Sequence, residues 1–230
     1  MKKTIAITAA AAAMLAVSPA AAQSTDGTAD RAGTMQAKVL MTGVLPDGEI
    51  DTVNVDAIGV PAGTQTTASD NVVPTLAIEY FLTNNLSIET ICCVTSHTVS
   101  VNAGALDGAE LVENALLLPA TVTAKAHADL GPIKPYIGAG VAYFIWLDQD
   151  VAADAAGLGA TDVNLSDEFG AVLQAGVDIP LGDSGFGISL DAKRYFIDTT
   201  ATFYAGSATA LETEHNLDPW VVSGGVTFRF

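Results

Sequence analysis

The chain has 230 residues, enough for one domain, and half of these residues are hydrophobic. Beyond the N-terminal segment, no stretch reaches the roughly 18 consecutive apolar residues that a transmembrane helix needs. The formal net charge of −17 disfavours a nucleic-acid-binding protein, because such proteins bind phosphates through Lys and Arg.

The N-terminal segment has the three parts of a secretory signal peptide. Lys2 and Lys3 supply its charge, residues 5–17 form an Ala-rich apolar stretch, and residues 20–22 are three Ala that fit a cleavage site. We therefore predict a signal peptide over residues 1–22, export through the Sec pathway, and a mature domain over residues 23–230. The alternative, a retained anchor helix, is disfavoured because the apolar stretch is short.

Eight segments of the mature chain alternate between residues suited to two different faces of a strand. The segments are 36–45, 73–82, 86–95, 116–128, 134–146, 168–181, 185–197 and 217–230. Short connections at 83–85, 129–133 and 182–184 separate long ones at 46–72, 96–115, 147–167 and 198–216. This rhythm predicts an all-β fold, an eight-stranded antiparallel up-and-down transmembrane β-barrel with its short turns on the periplasmic side.

The last segment shows the pattern of a membrane strand most clearly. One of its faces has no polar side chain and carries aromatic residues at both ends: Trp220, Val222, Gly224, Val226, Phe228 and Phe230. Aromatic girdles of this kind lie at the two interfaces of a bilayer. Bacterial outer-membrane barrels commonly end in such a strand with a terminal Phe. Phe230 therefore predicts a place in the outer membrane of a Gram-negative cell and recognition by the barrel assembly machinery.

The opposite faces of the predicted strands carry charges of both signs in equal number. The predicted inward charges are Lys38, Glu79, Glu89, Lys125, Asp178, Asp191, Lys193 and Arg229. An unpaired charge in a confined space is costly, whereas a paired one can be retained. Most of these residues lie in the periplasmic half of their strands. We therefore expect an ion-pair network that plugs this half of a narrow bore.

Segment 134–146 is apolar on both faces, one running from Tyr136 to Trp146 and the other starting at Ile137. Either face could point inward, so the sequence predicts an apolar lining in the outer half of the barrel without choosing between the faces. The candidate channel residues are aromatic. They are Tyr136, Tyr143, Phe144 and Trp146 in this segment and Phe81 in segment 73–82.

Catalytic or metal chemistry has little support in the sequence. Cys92 and Cys93 are adjacent, so they would point to opposite faces of a strand as free thiols, and no metal-ligand set accompanies them. Ser96 and His97 could suggest an enzyme that modifies lipid A, but strand neighbours point apart and pair poorly as nucleophile and base. We predict no catalytic residue, no metal and no cofactor.

Several stretches, taken in order, resemble the outer-membrane protein W family of Gram-negative bacteria. They are Pro-Thr-Leu at 74–76 with Glu-Tyr-Phe at 79–81, Pro-Tyr-Ile-Gly-Ala-Gly at 135–140, Gln-Ala-Gly-Val-Asp at 174–178, Asp-Ala-Lys-Arg-Tyr at 191–195 and Asp-Pro-Trp at 218–220. The resemblance implies an eight-stranded barrel with a hydrophobic channel that carries small apolar molecules. It also implies that the channel is closed toward the periplasm and opens sideways into the bilayer.

The expected partners are outer-membrane lipid, lipopolysaccharide and small hydrophobic solutes, with no nucleic acid. An acidic outer surface would need divalent cations where it meets lipopolysaccharide phosphates; the alternative is that the acidic charge only provides solubility and mutual repulsion. The alternative function is a structural or adhesive barrel whose external loops do the work. The outer half of the interior separates the two, because an apolar cavity favours transport and a fully packed interior favours a scaffold.

Overall fold

The computed structural model describes residues 31–230, and its main feature is a closed antiparallel barrel. Within this range the chain forms fourteen strands and one short helix. They are β1 (Met35–Leu45), β2 (Glu49–Asp56), β3 (Gln65–Ala68), β4 (Asn71–Phe81), β5 (Leu86–Cys92), β6 (Thr95–Ala103), β7 (Glu110–His127), β8 (Lys134–Val151), α1 (Ala153–Gly157), β9 (Asp162–Leu165), β10 (Glu168–Pro180), β11 (Phe186–Phe196), β12 (Asp198–Ala205), β13 (Ala208–Asn216) and β14 (Trp220–Arg229). The barrel consists of β1, β4, β5, β7, β8, β10, β11 and β14, in that circular order.

Closure of the barrel depends on pairing between its first and last strands. Gln36 lies opposite Arg229 and Leu45 lies opposite Trp220, with unbroken register between them. Closure gives each barrel strand a hydrogen-bonded neighbour on both sides, which is the condition for a sheet to cross a bilayer. The eight-stranded antiparallel barrel predicted from the sequence is confirmed.

Side chains alternate between the interior and the outer surface along the barrel strands. In β1, Lys38 and Thr42 are buried, whereas Val39 and Met41 are 58% and 57% exposed. On β10, Phe169 is 76% exposed on the same outer surface. A belt of exposed large apolar side chains suits acyl chains and not water.

The four long connections contain more regular structure than the sequence predicts. A second sheet in the order β2–β13–β12–β9 lies over one end of the barrel, and β6 pairs with both β3 and the outer part of β7. The expectation of plain loops at 46–72, 96–115, 147–167 and 198–216 is therefore wrong. Apolar residues of β9 and β12 pack against the outer part of β7. This buried cluster consists of Val112, Ala115, Val163, Leu165, Ala201 and Phe203.

We call residues 46–70, 94–116, 147–168 and 197–219 the outer cap. The opposite, periplasmic end of the barrel carries the three tight turns and both ends of the described chain. The predicted signal peptide, residues 1–22, lies outside the described residues. Within the described range, no helix combines the length and the apolar character needed to cross a membrane.

Candidate functional site

An apolar cavity of ≈ 110 Å³ lies between the barrel and the outer cap. Barrel side chains such as Val44, Leu117 and Phe144 form its lower wall, and cap side chains such as Leu165 and Phe203 form its upper wall. The lower wall is apolar because the inward positions of the strands change from charged to hydrophobic toward their outer ends. A concave, mainly apolar site of this kind is where a small ligand is expected to bind.

Trp146 joins the two walls of the cavity. Its ring packs against the buried core of the barrel and against the buried cluster of the cap. The indole N–H lies 3.3 Å from the Thr199 hydroxyl, and the backbone N–H donates to the Asp167 carboxylate at 2.8 Å. Trp146 can reach both walls because β8 runs past the barrel rim into the cap.

Three loops contribute apolar side chains to the mouth of the cavity. Ile58 follows β2, Leu106 lies between β6 and β7, and Leu158 follows α1; all three line the cavity. Ile58 and Leu158 are each 54% exposed. Because these side chains face both the cavity and the outside, they mark an apolar rim through which a solute can enter.

Two histidines supply polar groups to this apolar wall. His97 Nδ1 lies 2.6 Å from the Ser69 carbonyl oxygen, and its Nε2 lies 3.0 Å from the Thr95 hydroxyl. His215 has the same arrangement, with Nε2 2.7 Å from Thr213 and Nδ1 3.3 Å from a carbonyl before β2. A carbonyl only accepts, so Nδ1 donates and Nε2 can accept from the hydroxyl. Burial lowers the pKa of both imidazoles, which keeps them neutral.

Buried charges fill the barrel interior beneath the cavity. The ammonium nitrogens of Lys38 and Lys125 each lie within 2.9 Å of both Glu79 and Glu89. His127 Nε2 lies 2.9 Å from the other oxygen of Glu79. These five side chains are at most 2% exposed. Such buried ions are retained because each ammonium meets two carboxylates and each carboxylate meets two ammonium groups.

The ion pairs continue across the interior toward β10 and β11. Lys193 lies 2.6 Å from Asp191 and 3.3 Å from Glu89, and Lys38 lies 3.5 Å from Asp178. We call the connected charged residues the polar floor. They are Lys38, Glu79, Glu89, Lys125, Asp178, Asp191 and Lys193. The polar floor separates the apolar cavity from the periplasmic end of the barrel.

Tyr136 completes the polar floor from β8. Its hydroxyl donates to Asp191 at 2.8 Å, and its ring centroid lies 3.7 Å from Lys125 Nζ. The ring has room because Gly176 on the neighbouring strand has no side chain; a Cβ there would lie 2.4 Å from the Tyr136 hydroxyl. The face of segment 134–146 that starts at Tyr136 therefore points inward, and the face that starts at Ile137 points toward lipid. The sequence alone leaves this choice between the two faces open.

The predicted channel residues lie in three different places. Phe144 and Trp146 line the cavity. Tyr136 and Phe81 are buried below it, and both contact His127. Tyr143 points outward and stacks on the exposed Phe169, with ring centroids 4.2 Å apart. The prediction of Tyr143 as a channel residue is wrong, because it belongs to the other face of β8.

Arg229 is the predicted inward charge that does not join the polar floor. It takes part in none of the ion pairs within residues 31–230. It lies on the inward side of β14 but at the periplasmic mouth, in a small cleft with Arg31, Lys134 and Asp178. Alternation predicts its face correctly, but its place at the end of the strand leaves it outside the ion pairs of the polar floor.

The two cysteines point in opposite directions, and so do Ser96 and His97. Cys92 is exposed and Cys93 is buried, and both are free thiols, as their adjacency predicts. Ser96 is exposed and His97 is buried, so the two point apart along β6. Among residues 31–230, no group of three or more His, Cys, Asp or Glu side chains is placed to hold a metal ion.

The upper wall of the cavity is the part of the site that the sequence does not predict. It comes from segments read as loops, including Leu165, Ala201 and Phe203. A signal is present in β12, where Thr199, Ala201 and Phe203 are buried at every second position. Alternation over so few residues, with Thr and Ala among them, is too weak to identify a strand by itself.

Known proteins match this chain along most of its length. The model of the OmpW family matches residues 31–230. Uncharacterized outer-membrane protein y4mB of Sinorhizobium fredii is 34% identical over 96% of this chain and 90% of its own. Dibenzothiophene metabolism operon protein PahQ of Pseudomonas aeruginosa is 29% identical over 74% of this chain and 77% of its own.

A solved structure has the same fold. The crystal structure of the outer membrane protein OprG from Pseudomonas aeruginosa superposes with a TM-score of 0.76 at 24% identity, covering 87% of this chain and 97% of that chain. The fold, the apolar outer belt and the family match agree with one another. The chain belongs to the OmpW family and is a β-barrel protein of the outer membrane.

Proposed function

We propose that this barrel binds small apolar molecules in its cavity and admits them passively from outside the cell. The observation that carries the proposal is the cavity itself, which is lined by apolar side chains and reached through the apolar rim. The name of the relative PahQ adds support, because dibenzothiophene is a small apolar aromatic compound. No covalent step is needed, since transfer from water to an apolar site is favourable by itself.

The polar floor decides which way a bound solute leaves. A straight path to the periplasm would separate buried ion pairs, and removing one partner of such a pair costs about 3–5 kcal/mol. An apolar molecule offers no hydrogen bond or charge in exchange. We therefore propose that the solute leaves sideways into the acyl chains, above the level of the floor.

The hydrogen-bonded wall of the barrel is interrupted between β4 and the chain that follows β5. β4 and β5 pair only as far as Leu76 and Cys92, and the outer residues of β4 pair with β1 on their other side. Beyond Cys92 the chain continues through Cys93 and Thr95, which both line the cavity. This interrupted ladder next to the cavity is the lateral exit that we propose.

Uptake of a neutral apolar fluorophore by whole cells tests the proposed function. Ala115 lines the cavity and is fully buried, so Ala115→Phe places a ring in the solute's space. Ala124→Phe is the matched control on the same strand, because Ala124 faces lipid. We expect N-phenyl-1-naphthylamine to enter faster with the wild-type protein and the Ala124→Phe variant than with Ala115→Phe. Gel mobility of the folded barrel verifies both variants, and equal uptake by folded Ala115→Phe and wild type would overturn the proposal.

A further inference from the structure

The outer cap carries the excess negative charge of the described chain. It contains 18 Asp and Glu residues and no Lys or Arg, whereas the rest of residues 31–230 holds six acidic and seven basic residues. None of the 18 acidic residues of the cap is buried. The excess negative charge of the described chain therefore lies on the outer cap and not along the barrel.

Each apolar side chain of the rim has a carboxylate close to it in the chain. Asp56 lies two positions before Ile58, Asp107 directly follows Leu106, and Asp154 lies four positions before the third rim residue. Local hydrogen bonds hold two of these carboxylates in place. Asp56 accepts from the backbone N–H groups of residues 58–60, and Asp154 accepts from that of residue 110 at 3.0 Å. A solute entering over the rim thus passes fixed negative charges.

Within residues 31–230, the cavity lining provides no positive charge that would attract an anionic solute. Its lining contains no Lys or Arg, and both of its histidines are neutral. Arg194, the basic residue at the junction of barrel and cap, is 3.6 Å from both Asp47 and Asp218. The ammonium groups of the polar floor are likewise already paired with carboxylates.

We propose that the cavity selects its solutes by charge, taking neutral and cationic amphiphiles and excluding anionic ones such as alkyl carboxylates. The selection rests on the proposed function of the cavity as an apolar binding site. A cleft lined by charges of one sign with low-dielectric walls repels ions of that sign and attracts the opposite ones. The screening length is about 8 Å at physiological ionic strength, so the effect acts at the rim and weakens with added salt.

Tryptophan quenching by brominated solutes tests this selection. The chain has two Trp residues; Trp146 lines the cavity, whereas Trp220 is 50% exposed on the outer face. Trp220→Phe leaves Trp146 as the single fluorophore, and the reverse variant, Trp146→Phe, reports solute dissolved in the lipid. The solutes are 8-bromooctanol, 8-bromooctylamine and 8-bromooctanoate, added to protein in zwitterionic nanodiscs at neutral pH and low salt.

We expect the alcohol and the amine to quench Trp146, and the carboxylate to need at least about tenfold more solute for the same quenching. High salt should reduce this difference between the carboxylate and the alcohol. The double variant Asp107→Asn/Asp154→Asn should reduce it as well. The matched control Asp183→Asn, in a periplasmic turn, should leave it unchanged. Equal quenching by carboxylate and alcohol would overturn the selection while leaving the proposed function intact. If none of the three quenches Trp146, the proposed function fails, and the selection fails with it.

Discussion

At the scale of single residues, the polar floor connects the stability of the barrel with its function. Glu79 is fully buried, and its carboxylate contacts Lys38, Lys125 and His127. Without it, both ammonium groups would share Glu89 as their main partner. The same contacts that hold four strands together also close the straight path to the periplasm.

Glu79→Ala should lower the free energy of unfolding by about 3–5 kcal/mol, because it leaves buried cations without a partner. Urea unfolding in detergent micelles measures the change. Asp183→Ala is the control, because this carboxylate is exposed in the turn before β11, and we expect it to stay within about 0.5 kcal/mol of wild type. An unchanged midpoint for Glu79→Ala would show that Glu79 contributes no net stability through the floor.

Alternation along the strands is sufficient to predict most of the polar floor from the sequence. It places Lys125, Asp191 and Lys193 on inward faces without any knowledge of their partners. It does not predict the separate position of Arg229 or the outward direction of Tyr143. The position of Arg229 depends on how far the strands are staggered, and the direction of Tyr143 depends on which of the two apolar faces of β8 turns inward. Both are set by pairing between strands that are distant in the sequence.

At the scale of elements, glycine sets how closely β7 and β8 approach each other. Gly140 pairs with Thr123, and a Cβ on Gly140 would lie 2.0 Å from the Val122 carbonyl oxygen. By contrast, a Cβ on Gly43 of β1 would meet only the Val222 carbonyl oxygen, at 3.9 Å. Two glycines in regular strands therefore have very different surroundings.

Gly140→Ala should destabilise the barrel by about 1–3 kcal/mol, because the two backbones must move apart to admit the methyl group. Gly43→Ala, which has room for the methyl group, should change stability by no more than about 0.5 kcal/mol. Unfolding of both variants in the same detergent gives the comparison. Equal stability of the two would mean that the approach of β7 to β8 adjusts at little cost.

The barrel strands are easier to predict than the strands of the outer cap for a physical reason. A barrel strand separates lipid from a polar interior, so its two faces differ strongly over many residues. A cap strand such as β13 has water on one side and a partly polar wall with Thr213 and His215 on the other. The two faces of a cap strand therefore differ less in polarity, and over fewer residues, than those of a barrel strand. For this reason the cap strands are recognised in the structure but not in the sequence.

At the scale of the whole molecule, three layers follow one another along the barrel axis. The acidic outer cap faces the outside, the apolar cavity lies beneath it, and the polar floor closes the periplasmic half. The outer belt and the inward charges are visible in the sequence. The sequence also predicts an apolar lining in the outer half of the barrel, but it does not predict the upper wall or the volume of the cavity, because these depend on how four separate segments of the cap pack at the barrel rim.

The position of a bound solute tests the three-layer arrangement most directly. Crystals grown with 8-bromooctanol would locate the bromine by its anomalous scattering. We predict a peak in the cavity, beside Phe144, Trp146 and Phe203 and above Tyr195. Bromine found only on the lipid-facing surface near Phe169, or below the polar floor, would contradict our proposal that apolar solutes occupy this cavity.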